Sequence, residues 1–387
     1  MELVSFQIKK KSDIISSLFI FVLLVSSGNP EGRQTKFISL FFLLIIFLFY
    51  SKYLTIFFFK KVFPVIGIIT ILFVVQEKTL GFTSWLGNLN LFVKIIFAAL
   101  VVHINREKFN LNYFNVIYVI SVLSLLLMFF DVVGIIKFLP HTYSEDDRFY
   151  YFFYQTRPDF LRNSGMFWEP GVYSNYLTLA ILLVLPSFKD VNKFRFYIIV
   201  FTVLSTLSTS GYIILFILFL YKTISFNIRN IIWSVLISAS FYLIYNATPF
   251  LSDKIAEQSE LALSAEGEMN YTRLGQLLFD LHYIEKHPLI GNGMHVKTRY
   301  SDHPVFQDED YEVGHGNGFS QFIVSFGLPF VILYFVLVAR NVSYRISNNF
   351  RYSLFFVFII ILSLQNEPMM TYPFYWGFLF FSDGVDV

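Results

Sequence analysis

SDKIAEQSELALSAEGEMNYTRLGQLLFDLHYIEKHPLIGNGMHVKTRYSDHPVFQDEDYEVGHGNGF, running from Ser252 to Phe319, is the one long polar passage in a chain that is otherwise close to continuous hydrocarbon. It carries 12 of the 27 acids. On either side, Ile231–Phe250 and Phe319–Val338 supply the roughly 20 apolar residues that a helix needs to cross a bilayer. A polar segment of this size between two spans belongs outside the membrane, where water can meet its polar groups. The fold expected is therefore all-α and polytopic, a single membrane domain over residues 1–387.

Composition agrees. Hydrophobic residues make up 56% of the 387, charged residues only 14%, and aromatics 20%, with 50 Phe and 24 Tyr. The mean hydropathy of +0.60 is not that of a water-soluble globule. The absence of Cys excludes disulfides, thiolate zinc sites and cysteine nucleophiles. Lys9-Lys10-Lys11 precedes an apolar run without a small-residue cleavage site, so Ile14–Val25 reads as a retained first span.

About twelve spans are expected, with cores at Ile14–Ser26, Phe37–Phe59, Val62–Val75, Leu89–His103, Val116–Phe138, Pro170–Pro186, Phe196–Leu207, Tyr212–Tyr221, Ile231–Phe250, Phe319–Val338, Tyr352–Leu364 and Tyr372–Phe381. Counting from a cytoplasmic N-terminus places 16 of the 29 basic residues in or beside inner loops, as the positive-inside bias requires. They include Lys60, Lys61, Arg106, Lys108, Lys193, Lys222, Arg340 and Arg345. The split at Ser208-Thr-Ser-Gly211 decides the count, since one span there would invert everything after it.

Two outer segments, 140–168 and 251–318, are expected to form the site. Four polar constellations fall on the outer side: Arg162…Glu169-Pro170-Gly171, Ser208–Gly211, Arg273…His315-Gly-Asn317-Gly318, and Gln365-Asn-Glu367-Pro368. Each precedes a descending helix, and helix N-termini carry unpaired N–H groups that favour anions. Two guanidiniums added to such a ring suit a phosphate or diphosphate, which arginine meets with two parallel bonds. Blander readings stand beside these. Arg162 can anchor at the interface, Glu169 and Glu367 can be plain N-caps, Ser208–Gly211 can be only a helix break, and Asp308–Glu312 reads as a solvated acidic loop. Within the long loop, Leu274, Leu277, Leu278, Leu281 and Ile284 recur at helical spacing. They predict a helix from Asn270 or Thr272 to Pro288 that lies on the membrane surface.

Three local patterns resemble the O-antigen polymerase and O-antigen ligase superfamily. They are Arg162-x-x-Gly165-x-Phe167-x-Glu169-Pro170-Gly171, the Ser-rich break Thr206–Gly211, and Arg273 followed by Pro288–Gly293, His315-Gly-Asn-Gly318 and Gly327-Leu-Pro329. The similarity covers roughly residues 115–340 in pattern. Many members have His directly before Asn, whereas Gly316 intervenes here. The resemblance implies a GT-C-like glycosyltransferase in the bacterial inner membrane, working at its outer face without metal or cofactor. Donor and acceptor would be undecaprenyl-diphosphate-linked oligosaccharides. Arg162 and Arg273 would bind the diphosphate, and His315 would activate the acceptor hydroxyl, with Glu169 the rival base. Ser210, Asn317 and Glu367 are further candidates at the site. A chain-length regulator and a flippase of the same pathway would be partners, and nucleic acid would not. A polysaccharide polymerase is the leading expectation, for O-antigen, capsule or exopolysaccharide. A ligase of the same fold is the alternative, and a lipid-linked oligosaccharide flippase or other transporter is the alternative of another class.

Overall fold

The computed structural model describes residues 2–30, 38–49, 56–144, 148–156, 161–223, 273–300, 316–346 and 349–381. The expected span Ile231–Phe250 lies outside them, as do Glu266, Asp308–Glu312 and His315. The described chain is helical apart from one antiparallel hairpin, β1 (Thr142–Ser144) with β2 (Arg148–Tyr150), in register Thr142 to Tyr150.

The chain divides into two compact units. The first comprises Met1–Ser27, Glu31–Phe109 and Leu261–Val387. It holds α1 (Glu2–Val25), α2 (Ile38–Phe49), α3 (Ile56–Leu80) and α4 (Trp85–Asn105). From the C-terminal part it adds the later helices α9 (Arg273–Lys286), α10 (Val296–Arg299), α11 (Gly318–Phe326), α12 (Leu328–Arg345), α13 (Phe350–Leu364) and α14 (Pro373–Trp376). The second comprises Gly28–Pro30 and Asn110–Glu260. Its helices are α5 (Phe109–Val132), α6 (Pro170–Val184), α7 (Lys193–Ser205) and α8 (Thr209–Thr223).

Short polar residues start these helices. Ser84 caps α4 by accepting from the Gly87 amide, Asn192 caps α7 from the Phe194 and Arg195 amides, and Asn349 caps α13 from the Arg351 amide. Each supplies an oxygen to an N–H that has no partner within its helix. Pro170 opens α6, where its missing N–H is no loss.

Among the described residues, three apolar stretches are long enough to cross a membrane: Phe58–Leu80, Trp85–Val132 and Leu328–Arg345. The second contains the turn Arg106–Lys108, where Arg106 has φ 42°. Shorter apolar helices run at Ile14–Val25, Pro170–Val184, Thr209–Thr223 and Phe350–Leu364. Exposed apolar stripes follow the helices, such as Leu40, Phe41, Leu44, Phe47 and Leu48 on α2, or Val119, Val122, Leu126 and Phe129 on α5. A soluble monomer leaves far smaller apolar patches open. These are the features of a membrane protein.

Within each unit, long-range bonds join residues that the charge pattern puts on one side. In the first unit Asn105 Nδ2 donates to the Ser16 carbonyl (3.2 Å) and Arg345 to the Phe381 carbonyl (3.1 Å), all expected at the inner side. Gln76 Nε2 donates to the carbonyls of Ile290 (2.6 Å) and Ser325 (2.8 Å), all expected at the outer side. In the second unit Trp168 N donates to the Gly28 carbonyl (3.2 Å) and Arg195 to Asn115 Oδ1 (2.6 Å).

Four expected boundaries fare differently. The break in the Ser208–Gly211 region is present: α7 ends at Ser205, α8 starts at Thr209, and Leu207 between them has φ 47°. The expected span Phe37–Phe59 is described in two pieces, α2 up to Phe49 and Ile56–Phe59, which runs on into α3 past Lys60-Lys61; residues 50–55 between them lie outside the described residues. Phe319–Val338 is not one helix either. It breaks at Gly327 (φ 78°), with Pro329 unable to continue the hydrogen-bond ladder of α11. Tyr372–Phe381 is only the four-residue α14 followed by a 3₁₀ turn at Gly377–Phe380, far short of the ~30 Å hydrocarbon thickness. Its residues are buried throughout, with Trp376 fully enclosed, and tertiary packing sets their shape.

Candidate functional site

The first unit assembles a polar cluster around α9. Its buried face is not the leucine stripe but Gln276, Asp280 and Tyr283, one helical turn apart. Gln276 Oε1 accepts from the Gly316 amide (2.5 Å). Asp280, wholly inaccessible, accepts from the Tyr300 hydroxyl at Oδ1 (2.9 Å) and from Ser320 Oγ at Oδ2 (2.5 Å). Burial is the main cause pushing the Tyr300 hydroxyl well above its ordinary pKa. Arg299 opposes that shift, whereas the charge and hydrogen bond of Asp280 add to it. Tyr300 therefore remains a donor across the physiological range.

Asn317 ties the same elements together. Its Oδ1 accepts from the Ser320 amide (3.1 Å), capping α11, and its Nδ2 donates to the Arg273 carbonyl (3.4 Å). Arg273 opens α9 and is half-exposed. Gly318 follows, where a Cβ would run into the Glu367 carbonyl and come within 2.7 Å of Pro368 Cα. Only glycine permits that approach. Three stretches far apart in sequence thus converge: Arg273, Gly316–Gly318, and Glu367–Pro368. Glu367 is half-buried, and Asn317 is buried. His315 itself lies outside the described residues, next to Gly316.

The turn Pro288–Gly293 explains the break in the α11–α12 stretch. Asn292 N donates to the Val324 carbonyl (2.6 Å) and Leu328 N to the Pro288 carbonyl (2.8 Å), which meets polar groups that the break at Gly327 leaves open. Gly291 has φ 71°, and a Cβ there would lie 2.6 Å from Gly327 N. Gln76 bridges the loop and the end of α11 through its two carbonyl bonds.

The second unit gathers the other two constellations. Arg162 Nε donates to the Thr206 carbonyl (3.2 Å) and NH2 to the Leu207 carbonyl (3.1 Å), so its guanidinium holds the carbonyl end of α7 at the break. Ser208 Oγ lies 3.0 Å from Ser210 Oγ and 3.1 Å from Ser174 Oγ. A Cβ at Gly211 would meet Ser174 Cβ at 2.6 Å, so α8 and α6 touch there. Asn163 donates to Ser124 Oγ (3.2 Å) and Ser205 Oγ (3.1 Å) and receives the Gly165 amide at 2.9 Å. Glu169 occupies the N-cap position of α6 without a side-chain capping bond, and is half-exposed.

Sequence reading missed Gln76, Gln276, Asp280, Tyr300 and Ser320. The spacing of Gln276, Asp280 and Tyr283 was the available signal, but the parallel leucine stripe reads more strongly. Within that stripe Leu278 is 52% and Leu281 44% exposed, whereas Ile284 packs against Tyr283, Tyr300 and Val324. Among the described residues no three His, Asp or Glu side chains group as metal ligands. Comparison with protein-family models and with curated proteins finds no match to this chain.

Proposed function

We propose that the chain is a membrane glycosyltransferase that joins undecaprenyl-diphosphate-linked oligosaccharide repeats into a surface polysaccharide, at the outer face of a bacterial inner membrane. The supporting observation is the convergence of Arg273, Gly316–Gly318 and Glu367–Pro368 at the start of α11. In this proposal the guanidinium of Arg273, whose backbone carbonyl is bonded to the cap of α11, meets the developing charge of a diphosphate leaving group, and fixed charges of this kind are the usual largest catalytic contribution. Arg162 is proposed as a second diphosphate ligand. His315, adjacent to Gly316, takes the proton of the acceptor hydroxyl. The positive end of α11 disfavours imidazolium and keeps the ring able to accept. Glu169 is the rival base. A GT-C-like arrangement of the spans belongs to the same proposal.

A transporter is the second reading, favoured by one observation: the helix broken at Gly327 with the Pro288–Gly293 loop seated in it. Transporters place such breaks at their substrate sites. Glycan length in a deletion strain separates the readings. Single repeat units on the cell surface support the polymerase, long polymer left on its lipid carrier supports a ligase, and repeat units retained in the cytoplasm support transport.

A further inference from the structure

A cavity of about 210 Å³ opens in the first unit at the start of α4. Ser84, Asn88 and Leu91 line it from the cap and one face of that helix, at the spacing of successive turns. Asn90 lines it beside them, and Met294 and Thr371 come from two other parts of the chain. Bonds within the protein fix this wall. Lys94 Nζ donates to the Thr371 carbonyl (2.9 Å), and the Thr371 hydroxyl donates to the Pro368 carbonyl (2.8 Å). Asn88 Nδ2 donates to Thr83 Oγ1 (3.1 Å), and Ser84 Oγ accepts from the Gly87 amide (3.4 Å).

Those bonds leave hydrogen-bonding capacity unspent. A carboxamide has two N–H donors and an oxygen with two lone pairs, and a hydroxyl both donates and accepts. Among the described residues, Asn88 spends one N–H and Ser84 keeps its own O–H. Asn90 has no hydrogen-bond partner among them. A preformed hollow with apolar walls and a few convergent polar groups is the form of a small-molecule site. Its volume is below the ~300–1,000 Å³ of pockets for drug-sized ligands, and suits one sugar ring. Such a ring brings hydroxyls that both give and take hydrogen bonds, as the amides and hydroxyl of this wall do. Its C–H groups match the apolar surface of Leu91 and Met294.

We infer that this cavity is a subsite for one uncharged monosaccharide unit. Asn88 and Asn90 bond its hydroxyls, Ser84 donates to another, and Leu91 and Met294 lie against its C–H groups. The choice of a sugar rests on the glycan reading above; the cavity and its unspent polar groups do not.

Purified full-length protein in lipid nanodiscs, titrated in turn with glucose, galactose, mannose and rhamnose under saturation-transfer NMR, tests it. The ring protons of at least one should receive saturation from wild type, and none from empty nanodiscs. Asn90→Leu keeps the size of the side chain and removes its amide, and should weaken that sugar about tenfold. Met294→Trp places a larger side chain in the wall and should abolish binding. No transfer to any of these sugars overturns the inference, and so does unchanged binding in either variant. Displacement of the sugar by inorganic phosphate at equal concentration also overturns it, since that would mean an anion site. If one variant does not fold, the other decides alone. A sugar bound in this way by a protein that makes no polymer keeps the subsite and removes the proposed activity. Polymer made by a protein whose Asn90 and Met294 variants bind the sugar like wild type does the reverse.

Discussion

Asp280 is the residue on which the first unit's cluster turns. It accepts from two buried hydroxyls, those of Tyr300 and Ser320, and so fixes the start of α11 against α9. Asp280→Ala removes the acceptor of the Tyr300 hydroxyl, at about 1–3 kcal/mol for a buried group left unsatisfied, whereas Ser320 Oγ can still donate to the Asn317 carbonyl at 3.2 Å. Asp280→Asn keeps one amide oxygen and should fall between the alanine variant and wild type. Thermal unfolding of the purified variants in detergent checks the order, and an alanine variant as stable as wild type would show that Asp280 is dispensable to the cluster. The two arginines separate at the same scale. Arg162 grips the carbonyls of Thr206 and Leu207, and lysine cannot hold two carbonyls with a planar fork. Arg162→Lys should therefore lose stability as well as activity. Arg273→Lys should fold like wild type and lose most turnover, with polymer yield and melting temperature measured on the same preparations. Equal melting losses in both would assign Arg273 a structural role.

At the scale of elements, the break at Gly327 is the least local feature of the fold. Gly291→Ala and Gly327→Ala each place a Cβ on backbone atoms at positive φ, so both should destabilise clearly. Gly67→Ala, in the open middle of α3 with nothing within 4 Å of the added carbon, should be neutral or gain up to ~1 kcal/mol from helix propensity. Unfolding midpoints that rank the three alike would contradict the seated loop. The stripe on α9 makes a further test in this Cys-free chain. A spin label at Leu278→Cys should collide with oxygen dissolved in the bilayer more than with a water-soluble nickel chelate, and the opposite ranking would put the helix in water. Apolar runs, the break near Ser208 and the leucine stripe were legible because each is written within a few consecutive turns. The burial of Asp280 was not, since an acid on an amphipathic helix reads as solvated until Tyr300 and Ser320 arrive, 20 and 40 residues further on. Gly327-Leu-Pro329 suits either a helix start or a break in a span, and the Pro288–Gly293 turn decides between them. The short α14 reads as a span in the sequence because its apolar residues match one in composition. Burial among α4, α12 and α13 accounts for that composition equally well.

For the whole molecule, the charge bias puts Lys193, Lys222 and Arg345 inside, and Glu285, His295 and Gln365 outside. Single cysteines at these positions should react with an impermeant maleimide in intact spheroplasts only at 285, 295 and 365. Labelling at 193 and 345 instead would invert the chain and remove its outer site. The central claim is glycosyl transfer from a lipid diphosphate, and reconstitution tests it most directly. Purified protein in proteoliposomes, given a defined undecaprenyl-diphosphate-linked repeat unit and no other protein, should produce a ladder of lengthened glycans and release undecaprenyl diphosphate, with His315→Ala slower by ~10²–10⁴. Glycans that stay one repeat long while the lipid-linked unit moves from one leaflet to the other would contradict the account and identify a transporter.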